Sequence, residues 1–138
     1  METKQKLDYI ESLKNSLGYN ELVTVEPVGL SGGLVVMWKS SYKVEVLFSD
    51  KRIIDLKIQV GSMVFFLSCI YGDPVPAMRN LVWEHITSIG MEQDDAWVLV
   101  GDFNELLCNE EKLGGPPRAD SSFWDFRNMV ENCKLKEI

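Results

Sequence analysis

The sequence has no apolar run approaching the roughly 20 residues that span a bilayer, which argues against a membrane-spanning helix. No charged-then-apolar leader with a small-residue cleavage site opens it, so the chain reads as intracellular. Cysteine is sparse: Cys69, Cys108 and Cys133 are odd in number and fit neither a zinc spacing nor a disulfide framework. Reduced, mostly buried thiols are expected. Histidine is scarcer still. The single His85 lies in a helical stretch beside Trp83, Glu84 and Ile86 and reads as a surface or helix-flank residue. Positive charge is also short, with 14 Lys and Arg against 21 Asp and Glu, a net charge of −7. That is the wrong sign for a protein held to nucleic acid by bulk electrostatics. It leaves room for an acidic metal site with local basic residues. With no repeat, low-complexity tract or linker, residues 1–138 read as one domain.

What is present fits a globular chain. Apolar residues make up 46% and charged residues 25% of the sequence. A chain of this length buries roughly two-thirds of its unfolded surface. Leu7, Ile10, Leu13 and Leu17 recur at helical spacing, with Thr3 as a candidate cap and Gly18 as a stop. Leu22 to Val28 is β-branched and partly alternating, and Pro27 marks an edge or an end. Gly29 to Gly33 reads as a turn, and Leu34 to Trp38 as a short buried strand. Tyr42 to Phe48 and Arg52 to Val60 alternate as half-buried strands. Gly61-Ser62 turns into the apolar stretch Met63 to Ile70, which completes an antiparallel meander. Helical spacing returns at Met78, Leu81, Val82, Ile86 and Ile89. Ala96 to Val100 is a short strand, and Gly114-Gly115-Pro116-Pro117 a loop. A last helix starts near Ser121 or Ser122, with Phe123, Phe126, Val130 and Cys133 as its stripe. The order is helix, several strands, helix, strand, helix: a mixed α/β (α+β) layered domain.

Three segments hold candidate chemistry. In Val98-Leu99-Val100-Gly101-Asp102-Phe103-Asn104, a strand runs into a glycine and then offers a carboxylate and an amide two residues apart. An extended chain puts Asp102 and Asn104 on one side, at the strand end where α/β proteins commonly place sites. Spacing alone favours a turn, since Gly, Asp and Asn are turn formers. In Phe65 to Pro74, a strand ends at Tyr71 before a Gly/Pro turn. A tyrosine there is ordinarily an amphipathic rim residue, although its phenol can donate to a phosphate oxygen. Asp73-Pro74 reads as turn chemistry. Glu2, within Met1-Glu2-Thr3-Lys4, reads alone as an N-terminal helix-turn carboxylate.

Taken in series, these pieces resemble the endonuclease/exonuclease/phosphatase (DNase I-like) superfamily, and most closely the endonuclease domain of plant non-LTR retrotransposons. The matching segments are Met-Glu-Thr-Lys at 1–4, Val-Gly-Leu-Ser-Gly-Gly-Leu at 28–34, Met37-Trp38-Lys39, Ile-Tyr-Gly-Asp-Pro at 70–74, Val-Gly-Asp-Phe-Asn-Glu at 100–105 and Asn-Glu-Glu-Lys-Leu-Gly-Gly at 109–115. The resemblance implies an α-β-β-α four-layer sandwich with mostly antiparallel strands. It implies that Glu2 holds Mg²⁺ (or Mn²⁺), a hard ion suited to oxygen ligands. It implies that Asp102 orients or deprotonates the attacking water. Asn104 would fix Asp102 and the phosphate, and Tyr71 would donate to the transition state. The reaction would be phosphodiester hydrolysis, with DNA as partner and a nuclear location.

The family also carries a metal-site Asn on an earlier strand, and an Asp and a Ser-Asp-His motif on later ones. No position in 1–138 matches these. The resemblance therefore implies an incomplete domain, truncated at both ends, with weak or no activity alone. Its short sheets would expose edges open to self-association. Two other readings stay open: a degenerate, non-catalytic interaction or structural module, and a phosphoesterase acting on a small or lipid phosphate.

Overall fold

A computed structural model describes residues 7–27 and 33–137. Glu2, Thr3 and the turn glycines Gly29 and Gly32 lie outside the described residues. Helix α1 (Leu7–Ser16) is followed by strands β1 (Glu21–Val25), β2 (Leu34–Trp38), β3 (Lys43–Ser49), β4 (Ile53–Val60) and β5 (Met63–Tyr71). Helix α2 (Arg79–Met91), strand β6 (Trp97–Asp102) and helix α3 (Trp124–Asn132) complete the order. The protein is thus a mixed α+β fold with two sheets and three helices among the described residues. No helix among them is long and apolar enough to cross a membrane.

The chain divides into two compact units, residues 1–71 with 95–102 and residues 72–94 with 103–138. The first unit contains both sheets. Strands β1 and β2 pair antiparallel, while β3, β4, β5 and β6 form a four-stranded sheet in that order. The β3-β4-β5 meander is antiparallel and β6 joins β5 in parallel. A parallel pair needs a long connection, and residues 72–96 supply it. Alternation decides which residues face the two-stranded sheet: Ile54 and Leu56 from β4, Cys69 and Tyr71 from β5, against Leu34 from β2. Val23, Val25 and Val36 pack on that cluster. Val98 and Val100 of β6 align in register with Leu67 and Cys69 on the same face, yet are 37% and 50% exposed.

Strand β3 departs from the half-buried alternation its sequence suggests. Val46, Leu47 and Phe48 are 41%, 44% and 40% exposed. The register shifts between Val46 and Phe48, a bulge that ends strict alternation, and β3 is a sheet edge. Strand β4 is the opposite case. Ile53, Ile54, Asp55 and Leu56 are all buried, so both of its faces are covered there. On the face away from the inner cluster, Trp97 Nε1 donates to Ser68 Oγ at 2.8 Å, and Ser68 Oγ donates to Asp55 Oδ1 at 2.5 Å. This chain of hydrogen bonds crosses β6, β5 and β4 and gives two buried polar groups partners.

The second unit is organised by aromatic rings. Trp83 of α2 lies 4.8 Å from Phe126 of α3 by ring centroids, and Phe103 lies 5.5 Å from Phe126. Val82, Ile86, Phe123 and Met129 are also buried. Met129, rather than Val130, is the buried member of the last helical turn, so the stripe runs Phe123, Phe126, Met129. A 3₁₀ turn at Asp120–Phe123 precedes α3, with Ser122 Oγ bonded to Ala119 O at 2.6 Å. Of the cysteines, Cys69 is buried while Cys108 and Cys133 are half-buried, and all are free thiols. Burial pushes the Cys69 and Cys133 thiols above their ordinary pKa.

Candidate functional site

Tyr71 and Asp102 are the last residues of β5 and β6, and they stand opposite each other in the parallel register. Residues 31 apart in sequence thus arrive as neighbours on one face of one sheet, at the carboxyl ends of its strands. The two differ in exposure. Tyr71 is 5% exposed within the inner cluster, whereas Asp102 is exposed. The Tyr71 N–H donates to Arg52 O at 2.8 Å, and the Arg52 guanidinium lies 5.1 Å from the centre of the Tyr71 ring. That geometry fits a cation–π contact, which seats the ring.

Glycine makes this close pairing feasible. A Cβ on Gly101 would lie 1.9 Å from Ile70 O, and its φ of +148° belongs to a region that other residues rarely adopt. In the second unit Gly72 plays a similar part: a Cβ there would lie 1.8 Å from Phe103 O. Each glycine lets two backbones approach where a side chain would hold them apart.

Asn104 lies in the second unit, with a left-handed φ of 53°. That conformation costs a non-glycine residue about 1–2 kcal/mol, least for Asn and Asp. Its Nδ2 donates to Gly72 O at 2.9 Å. The next residue, Glu105, is held more firmly. Arg79 Nη1 stands 2.8 Å from one carboxylate oxygen and Arg118 Nη1 2.5 Å from the other, and the side chain is 7% exposed. Burial alone would raise the Glu105 pKa; donors from Arg118, the Leu106 N–H and Arg79 outweigh it and hold the carboxyl below its ordinary value. Asp73 behaves as the turn reading expects, accepting from Val75 N–H at 2.9 Å.

No protein-family model and no curated protein matches the chain. Among solved structures it is similar to ANGEL2, a 2′,3′-cyclic phosphatase, in a complex with adenosine-2′,3′-vanadate. The TM-score is 0.46 and the identity 16%, over 76% of this chain and 39% of that one. The chain therefore spans well under half of the length of that phosphatase chain.

The metal carboxylate implied by the sequence resemblance, Glu2, lies outside the described residues. Among the described residues, no group of three His, Cys, Asp or Glu stands close enough to hold a metal ion.

The structure adds residues that sequence reading passed over. Glu105 ends the Val-Gly-Asp-Phe-Asn-Glu segment, and nothing in its spacing signals that Arg79 and Arg118, 26 and 13 residues away, converge on it. The Asp55–Ser68–Trp97 chain is equally silent in sequence. A lone Asp inside an apolar strand, as in Ile54-Asp55-Leu56, is the one local signal for it.

Proposed function

We propose that the chain is part of a DNase I-like phosphoesterase domain that hydrolyses a phosphodiester. The observation that carries the reading is the placement of Tyr71 and Asp102 as register partners at the carboxyl ends of two parallel strands, on the motif Gly101-Asp102-Phe103-Asn104. In this reading Asp102, exposed and at a strand end, accepts the proton of the attacking water. The Tyr71 phenol donates a hydrogen bond to an oxygen that gains charge as the phosphorus is attacked. The sequence resemblance gives the Asn104 carboxamide the role of holding a phosphate oxygen. A Mg²⁺ held by Glu2 would offset charge on the phosphate when bound.

Substrate class follows from charge. A net charge of −7 disfavours tight capture of a polyanion by this chain, so a small phosphodiester is the better first substrate and DNA the second. One observation favours a different reading, a non-catalytic module: Tyr71 is 5% exposed, as befits a purely structural ring.

The deciding experiment incubates the chain with Mg²⁺ and either bis(p-nitrophenyl) phosphate or supercoiled plasmid, beside Asp102→Ala and Tyr71→Phe. The proposal expects hydrolysis that falls at least 100-fold in Asp102→Ala, the lower range for loss of a general base. No hydrolysis of either substrate, with no heat of Mg²⁺ binding by calorimetry, would establish the non-catalytic module instead. Activity equal in wild type and Asp102→Ala would refute the assigned base.

A further inference from the structure

Glu105 follows Asn104 directly, and its setting is unlike that of an ordinary surface carboxylate. Its two oxygens are divided between two guanidinium groups, and Oε1 also accepts the Leu106 N–H at 3.0 Å. Each arginine is anchored in turn. Arg79 Nε donates to Asp73 O at 2.9 Å. Arg118 Nε and Nη2 donate to Ser122 Oγ and Ser122 O, both at 3.1 Å, and its guanidinium lies 4.6 Å from the centre of the buried Phe123 ring. Glu105 is thereby tied to the start of α2 and to the approach to α3 at once.

Asn104 uses the same anchorage. Its carboxamide donates to Gly72 O, while Arg79 bonds the next carbonyl, that of Asp73. Residues 104 and 105 thus reach one short stretch by two routes, one amide and one ionic. A left-handed asparagine persists where its surroundings over-determine it. The bond to Gly72 O restrains the carboxamide, and a nearly buried carboxylate held between two arginines restrains Glu105, the residue that follows Asn104.

We propose that the Arg79–Glu105–Arg118 ion cluster positions Asn104, fixing its left-handed backbone and the orientation of its carboxamide so that a phosphate meets one arrangement of that group. Glu105, Arg79 and Arg118 are positioning residues, acting through Asn104. The use of Asn104 rests on the phosphoesterase reading; its coupling to the cluster does not. Charge is the essential property of Glu105. Glutamine at this place keeps the shape and one acceptor but leaves two guanidinium groups facing each other with no anion between them, which drives the arms apart.

The test follows the Asn104 side-chain carboxamide by ¹⁵N–¹H NMR, assigned by its disappearance in Asn104→Ser. In wild type its two protons should be well separated and slow to exchange with water. Glu105→Gln should draw them toward the values of a free amide and speed exchange at least tenfold, while the Asn20 carboxamide stays unchanged. An unchanged Asn104 pair in a folded Glu105→Gln protein that melts at lower temperature would overturn the proposal and leave a merely structural cluster. Should Glu105→Gln not fold, Arg118→Lys keeps the charge and loses the planar fork, and the same displacement is expected at smaller size; an unmoved pair there also overturns it. In a wild type that hydrolyses bis(p-nitrophenyl) phosphate, Glu105→Gln should lower kcat at least tenfold with KM within twofold, and an unaltered kcat would refute the link to catalysis. A wild type without hydrolysis sinks the phosphoesterase reading, and the NMR arm alone then decides the coupling.

Discussion

Replacing Gly101 by alanine should damage the first unit far more than a turn glycine does. The new methyl carbon would lie 1.9 Å from Ile70 O and 2.8 Å from Ile70 C, so β5 and β6 must part by about 1 Å at their carboxyl ends. The φ of +148° adds strain of about 1–3 kcal/mol for a residue with a side chain. Parting the strands weakens one or two ladder hydrogen bonds, about 1 kcal/mol each. Together these come to about 3 kcal/mol, a large share of the roughly 5–15 kcal/mol that stabilises a domain. Gly61 is the matched control in the same unit. Its φ is +60° and a Cβ there meets nothing within 4 Å, so Gly61→Ala should cost only the left-handed penalty, about 1 kcal/mol. Urea unfolding followed by tryptophan fluorescence measures both. Gly101→Ala should lose about 2 kcal/mol more than Gly61→Ala, with amide shifts concentrated around Tyr71 and Asp102. Equal losses from the two substitutions would show that the approach of Gly101 to Ile70 does not set the strand spacing.

Two more outcomes follow from the polar networks. Glu105 is held below its ordinary pKa of 4.5, so the stability it contributes is present above that value and is lost as pH falls through the depressed folded value. Wild type should exceed Glu105→Gln by about 2 kcal/mol at pH 7, a figure in the range for charged hydrogen bonds, and the gap should close on acidification below about pH 4.5. Urea midpoints from pH 7 to pH 3 check this, and a gap that widens in acid contradicts it. Trp97→Phe keeps a ring but removes the donor to Ser68 Oγ, which should cost about 1 kcal/mol in the same assay; no measurable loss would mean the indole bond adds nothing to the β4-β5-β6 chain.

Several elements were legible in the sequence because local chemistry decides them. The Leu7, Ile10, Leu13 spacing and Gly18 bound α1, and Gly18 does take a positive φ of 74°. Leu34 to Trp38 is β2 residue for residue, and Gly61-Ser62 turns between β4 and β5 as read. The Gly101-Asp102-Phe103-Asn104 segment is a strand end followed by a loop, as its apolar run and glycine indicate. Strand β3 is less buried than its alternation suggests, because alternation says which residues share a face, not whether anything covers that face.

By itself, the sequence determined the kinds and order of the elements, and it placed Tyr71 and Asp102 each at the end of an apolar strand. These follow from periodicity and turn chemistry, which act over a few residues. Only the tertiary structure decided that β5 and β6 are parallel neighbours, which sets Tyr71 opposite Asp102. It also decided that Arg79 and Arg118 close on Glu105. Strand pairing and ion pairing join residues far apart in the chain, and neither charge nor hydropathy names a distant partner until packing has brought it within about 3 Å.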